Sequence, residues 1–240
     1  MPDNSTVDAF TQLHGKYPWP DVTGLHAHNF TLGGGGRELV ERELDDIQNN
    51  KKIMLEIGCF MCASTKRWLE HDPDLLIVGV DPWSEDLKEQ VTRYVDRPLL
   101  NKLYPDPDDQ QRFVNDVNTQ GPLETALANV IKYKDRFIPV KGYSPDALEA
   151  VKNAGINPDI VYIDGAKQIE DLEECHRLWP DTKITGDDWH WGRTHGYPMR
   201  KIVKKFAKAH GFGIEANWAT WVLSRDIPVG IIVEPPRPAK

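Results

Sequence analysis

The chain is short of cysteine, of positive charge and of long apolar runs. Its three cysteines, Cys59, Cys62 and Cys175, are too few and too odd in number for a disulfide framework, so a reducing, cytoplasmic setting is expected. Lysine and arginine number 29 against 37 acids, a net charge of −8, which gives no global attraction to nucleic acid or anionic lipid. The richest basic stretch, MRKIVKKFAKAH (199–210), repeats Ile202, Val203, Phe206 and Ala209 at helical spacing. It reads as an amphipathic helix with a solvated lysine face, not a nucleic-acid groove. No apolar run reaches membrane-spanning length, and MPDNSTVDAF lacks the basic and apolar regions of a secretory signal. Internal repeats, the G-x-G-x-x-G dinucleotide fingerprint and the phosphate-cradling P-loop are all missing. What is present is ordinary for a soluble globular protein: 240 residues, 40% hydrophobic and 28% charged, enough for a substantial core.

Residues 1–36 show no clear periodicity and carry Pro18, Pro20 and the glycine run 33–36. They read as an irregular arm, a candidate lid, ending in a flexible joint. Residues 37–240 make the main domain. RELVERELDDIQNN (37–50) has helical periodicity, and IMLEIG (53–58) is an apolar run ending in glycine, a buried-strand signal. A helix over 64–71 and a second strand, LLIVGVD (75–81), follow. Residues 82–122, rich in proline and charge, read as an insertion with short helices. Then come a helix (123–135), a strand (136–142) and SPDALEAVKNAG (144–155), a helix with Ser144 at its cap, Pro145 at its first position and Gly155 past its end. PDIVYIDG (158–165) is a fourth strand, 167–179 a helix and KITGDD (183–188) a fifth strand. FGIEAN (212–217) and TWVLSR (220–225) form a closing pair, and the tail adds an edge strand. Strands alternating with helices predict an α/β fold, Rossmann-like and doubly wound: a mostly parallel seven-stranded sheet with helices on both faces. Ligands of such sheets bind outside the carboxyl ends of the strands.

The residues at those ends carry the chemistry. Gly58 closes the first strand, where a glycine lets backbone approach a ligand. Asp81 closes the second, about twenty residues on, where an acid can bond a ribose diol. Without pyrophosphate motifs, a nucleoside cofactor fits better than NAD or ATP. Cys59 and Cys62 spell C-x-x-C, but the partners of a redox or zinc site are missing, so they read as small residues of a tight loop. Asp164 ends the fourth strand; Asp187 and Asp188 end the fifth. Adjacent strands lie about 4.8 Å apart, so three carboxylates converge, and left unpaired they would repel and raise one another's pKa. A divalent cation held by oxygen alone, Mg²⁺ or Mn²⁺, resolves this. Lys167 and His190 are alternative proton acceptors, with His195 nearby. Tyr17, Trp19, His26 and His28, with residues 82–122, are candidates for a lid over the acceptor.

The pattern LEIGCFMCAST followed by VDPW resembles the class I S-adenosylmethionine-dependent methyltransferases. That resemblance implies that Glu56, Gly58, Cys59 and Ser64 border the methionine end of the cofactor, Asp81, Pro82 and Trp83 the ribose, and Gly142, Tyr143 and Ser144 the adenine, with Asp164 adjoining. Cys62 stands where the family has a second glycine, and Tyr143 where an acid is common. YIDGAKQIEDL and ITGDDWHWG look like the metal-dependent O-methyltransferases of macrolide and aminocoumarin sugars and of catechols. They imply metal ligation by Asp164, Asp187 and Asp188, and proton abstraction by Lys167, where the sugar enzymes use a histidine. The glycine pair that precedes strand five in the family is replaced by Pro180-Asp181-Thr182. The expectation is Mg²⁺-dependent methyl transfer from S-adenosylmethionine to a hydroxyl of a small diol-bearing acceptor, a sugar or natural product. No nucleic-acid or membrane partner is expected, and a homo-oligomer stays open. Two rivals are a metal-assisted hydrolase using the same carboxylates on water, which needs neither the 56–62 loop nor Asp81, and a non-catalytic S-adenosylmethionine-binding protein.

Overall fold

A computed structural model describes residues 4–28, 35–94 and 107–235. Glycines 33 and 34, residues 95–106 of the expected insertion and the last five residues of the tail lie outside this set. The described helices are α1 (Asn4–Lys16), α2 (Glu38–Asp45), α3 (Ala63–His71), α4 (Asp86–Tyr94), α5 (Pro107–Thr119), α6 (Pro122–Ala128), α7 (Asp146–Asn153), α8 (Glu170–Leu178) and α9 (Pro198–His210). The strands are β1 (Lys52–Ile57), β2 (Leu75–Asp81), β3 (Phe137–Lys141), β4 (Ile160–Ile163), β5 (Lys183–Gly186), β6 (Gly213–Asn217), β7 (Thr220–Ser224) and β8 (Ile232–Val233). They form one sheet in the order β3-β2-β1-β4-β5-β7-β6-β8. β1 to β5 pair in parallel, β7 runs antiparallel to β5 and β6, and β8 joins β6 in parallel.

Alternation along the strands sends side chains to two cores, one on each face of the sheet. Ile53, Leu55 and Ile57 of β1 face the core filled by α1, α7, α8 and α9 through Leu13, Leu148, Leu172 and Phe206. Met54, between them, faces the core filled by α2, α3, α4 and α5 through Leu44, Trp68, Val91 and Phe113. β2 is buried along its whole length, as a central strand covered on both faces must be.

The structure departs from the sequence expectation at four places. Among the described residues the sheet has eight strands, not seven, since the edge strand expected of the tail, β8, pairs beside β6 and adds to the seven. The arm is not irregular: it opens with α1, whose Phe10 and Leu13 are buried in the core. The helix expected over 123–135 breaks into α6 and a 3-10 turn at Ile131–Arg136. Ser144 does not cap α7: its hydroxyl donates to Asp171 Oδ1 at 2.5 Å, so a buried acid on α8 takes the hydroxyl that would have served the helix.

Candidate active site

The parallel ladders continue past the strand ends and draw the loops together. Gly58 N–H donates to Val80 O at 2.9 Å, Asp164 N–H to Ile57 O at 2.8 Å and Asp187 N–H to Ile163 O at 3.0 Å. Gly58 has φ of +88°, and a Cβ there would lie 2.5 Å from the Asp164 carbonyl oxygen. Only glycine allows the first and fourth loops to close up in this way. Phe60, Cys62, Trp83 and Asp188 also have positive φ, so backbone strain gathers in the loops after β1, β2 and β5, where functional sites store it.

A cavity of about 330 Å³ opens between these loops. Of the residues expected at a cofactor, Gly58, Asp81, Pro82, Tyr143, Ser144 and Asp164 line it. Phe60, Asp86, Leu87, Gln90, Gln168 and Asp171 line it too and were not singled out from the sequence. The α4 residues among them fall in the expected insertion, and Gln168 and Asp171 are reached only through the turn into α8.

Glu56, Cys59, Ser64, Trp83 and Gly142 stand behind the wall. Glu56 is fully buried; its two oxygens accept from Ser64 Oγ and Thr65 Oγ1, each at 2.5 Å, which fastens β1 to α3. Burial pushes its pKa up to about 7, against the opposing pull of those hydroxyls. Burial likewise holds the Cys59 and Cys62 thiols well above their usual range, so this C-x-x-C is not poised for redox chemistry. Asp81 accepts the N–H groups of Phe60 at 2.9 Å and Trp83 at 2.8 Å. A larger, open crevice of about 660 Å³ lies at the amino ends of β1 and β2. It is rimmed by the ion pairs Lys51–Asp74 and Lys52–Asp72 and sits at the end of a parallel sheet that does not gather ligand loops.

The three aspartates converge, and the chain itself supplies their counter-charges. Asp187 pairs with Arg37, both nearly buried, and accepts from the Tyr162 hydroxyl at 3.3 Å. Asp188 pairs with Lys167, whose Nζ also donates to Gly165 O at 3.0 Å and lies 5.3 Å from the centre of the Trp191 ring. Burial, then Asp187 and Asp188, push the Asp164 pKa well up; burial raises Asp187 as well, against the pull of Arg37. Burial works against the charge on Arg37, but Tyr162, Asp187 and Asp164 outweigh it and hold the guanidinium charged. The sequence reading missed Arg37, which stands far from the motifs, next to the glycine run. Among the described residues no group of three or more His, Cys, Asp and Glu side chains is arranged to hold a metal ion. An Mg²⁺ or Mn²⁺ ion at this cluster would compete with Arg37 and Tyr162 for Asp187 Oδ2 and with Lys167 for Asp188 Oδ2.

The other candidates sit further out. Trp189 is buried, and its indole N–H donates to Glu234 Oε1 at 2.9 Å. His190 bonds the Trp218 carbonyl through Nδ1, with Nε2 4.0 Å from Glu234. Trp191 is 53% exposed and stacks on His195. The arm's aromatics pack it onto the body: Trp19 N–H donates to Phe137 O at 3.0 Å, and His28 is buried against Asp116 at 2.9 Å. No helix among the described residues is long and apolar enough to cross a membrane.

No family model matches the chain, and no curated protein matches it. Among solved structures it resembles a protein described as a caffeoyl-CoA O-methyltransferase from Staphylococcus aureus, at 13% identity over 93% of each chain with a TM-score of 0.49. It also resembles cofactor-bound Rv0187 from MTB, at 17% identity over 93% of this chain and 90% of the other with a TM-score of 0.46. A third is the MycE methyltransferase of mycinamycin biosynthesis, solved with Mg, S-adenosylhomocysteine and mycinamycin VI, at 13% identity over 95% of this chain and 50% of the other, TM-score 0.45. At such values these are likenesses of architecture and of nothing finer. The strand order and the parallel pairing of β1 to β5 by themselves make this a Rossmann-like, doubly wound α/β sheet with helices on both faces.

Proposed function

We propose that this chain binds S-adenosylmethionine in the cavity beside Gly58 and Asp81 and transfers its methyl group to a hydroxyl of a small diol-bearing acceptor, a sugar or natural product. The observation that carries this reading is the position of Asp164. Of the three clustered aspartates it alone lines the cavity, so one carboxylate adjoins both the cofactor space and the polar cluster. In the transfer, the acceptor oxygen attacks the sulfonium methyl carbon, the carbon–sulfur bond breaks with its electron pair going to sulfur, and the hydroxyl proton passes to Asp164. Acceleration comes from alignment and from charge placed in advance. Lys167 is the poorer proton acceptor, because it would first have to give up its bonds to Asp188 and Gly165. No step here is routed through a divalent cation. Exposed Trp191 offers a face on which a sugar or ring can stack. Three buried, unpaired thiols suit a reducing, cytoplasmic setting.

Calorimetric titration with S-adenosylhomocysteine tests the cofactor assignment. Binding by the wild type is expected, with Asp81→Ala weakening it about 10–100-fold, the loss of one charge-assisted hydrogen-bonding group. A hydrolase using the same carboxylates would show no such binding. Transfer of labelled methyl to sugar diols or catechols, lost in Asp164→Asn, separates an enzyme from a mere cofactor binder.

A further inference from the structure

We propose that Arg37 and Lys167 are the resident cations of the aspartate cluster, standing where a divalent metal would otherwise be needed, so that the chain works without one. Three observations carry this. First, the charges pair: Arg37 holds Asp187 and Lys167 holds Asp188. The two cations each meet one acid of the adjacent pair, and the third acid, Asp164, faces the cavity.

Second, Arg37 is built into place. A Cβ on Gly36, which has φ of +89°, would collide with the Asn217 carbonyl. Gly35 O accepts from Ala219 N–H at 3.1 Å and from Thr220 Oγ1 at 3.3 Å. The chain entering α2 is therefore fastened to the β6–β7 turn, and its next residue is delivered to the end of β5. Third, the two pairs differ in access. The side chains of Arg37 and Asp187 are 4% and 6% exposed, those of Lys167 and Asp188 27% and 20%. The inner pair is a positioning device. Asp187 Oδ1 accepts the Asp188 N–H at 2.8 Å, and the Trp221 indole donates to the Asp187 carbonyl at 2.8 Å, so fixing Asp187 fixes the turn that carries Asp188. The outer pair, with Lys167 above the Trp191 ring, is the cation that an incoming acceptor oxygen would meet.

The consequence for turnover rests on the methyl-transfer reading; the metal test does not. Apo protein is titrated with Mn²⁺ and free Mn²⁺ is followed by electron paramagnetic resonance. The wild type is expected to take up no stoichiometric Mn²⁺. Arg37→Met and Lys167→Met each release a carboxylate and are expected to gain Mn²⁺ affinity on the order of a hundredfold, and adding Asp187→Asn cancels the gain. Arg37→Lys, which restores the charge, should suppress it. Stoichiometric uptake by the wild type, abolished by Asp187→Asn, overturns the proposal, and so does a folded Arg37→Met or Lys167→Met that gains nothing. If Arg37→Met does not fold, the more exposed Lys167→Met and the wild type decide the matter. Methyl transfer unchanged by EDTA is the expected kinetic result. An absence of S-adenosylhomocysteine binding would sink the transfer reading while leaving the Mn²⁺ result standing.

Discussion

Glu56 illustrates how burial sets the properties of a residue. Its carboxyl has no exposure, and its pKa of about 7 stands above the ordinary 4.5. The folded state thus binds this proton more tightly than the unfolded chain does, so the contribution of Glu56 to stability is greatest below about pH 4.5 and falls as pH rises toward 7. The loss across that window is about 3 kcal/mol. Glu56→Gln, which keeps the shape and can still bond Ser64 and Thr65, should flatten this part of the stability profile in denaturant unfolding at pH 5 and pH 8. An unchanged slope would show that Glu56 is not its source. Gly58 makes a second residue-scale case. Gly58→Ala forces a side chain onto the Asp164 carbonyl at a φ that costs a non-glycine residue about 1–2 kcal/mol. S-adenosylhomocysteine affinity should fall along with stability; full affinity would place the cofactor elsewhere.

Among the elements, α1 was hidden from sequence reading and β1 was plain. The α1 segment buries a short stripe, chiefly Phe10 and Leu13, among polar residues, a pattern too narrow to stand out from irregular chain. Leu13→Ala should nonetheless cost about 2–5 kcal/mol, as for any well-packed core leucine. A midpoint shift under half a kcal/mol in urea unfolding would mean that α1 is not part of the cooperative unit. β1, β2 and β4 were legible because central parallel strands are apolar throughout. The bounds of β5 were less so: the strand ends at Gly186, and the two aspartates read as its last residues belong to the following turn. The capping role given to Ser144 failed for a non-local reason, since Asp171 lies 27 positions away in the chain.

At the scale of the molecule, the cavity collects residues from the ends of β1, β2 and β4, from α4 and from the turn into α8. Elements of both layers therefore feel an occupant. Saturation with S-adenosylhomocysteine at about 100 times its Kd should add about 2.7 kcal/mol, a rise of roughly 5–10 °C in Tm for a chain of this size. A shift confined to one layer in hydrogen exchange would contradict the shared site.

The sequence by itself determined the α/β class, the direction of the sheet and the loops that carry Gly58, Asp81, Asp164, Asp187 and Asp188, because strand periodicity and strand-end chemistry are local. Only the tertiary structure decided how the aspartates are neutralised. The question posed by adjacent acids, what cancels their charge, has a local form but a non-local answer. Arg37 reaches Asp187 across 150 positions of sequence, delivered by a backbone contact between the start of α2 and the β6–β7 turn, and no spacing rule connects the two.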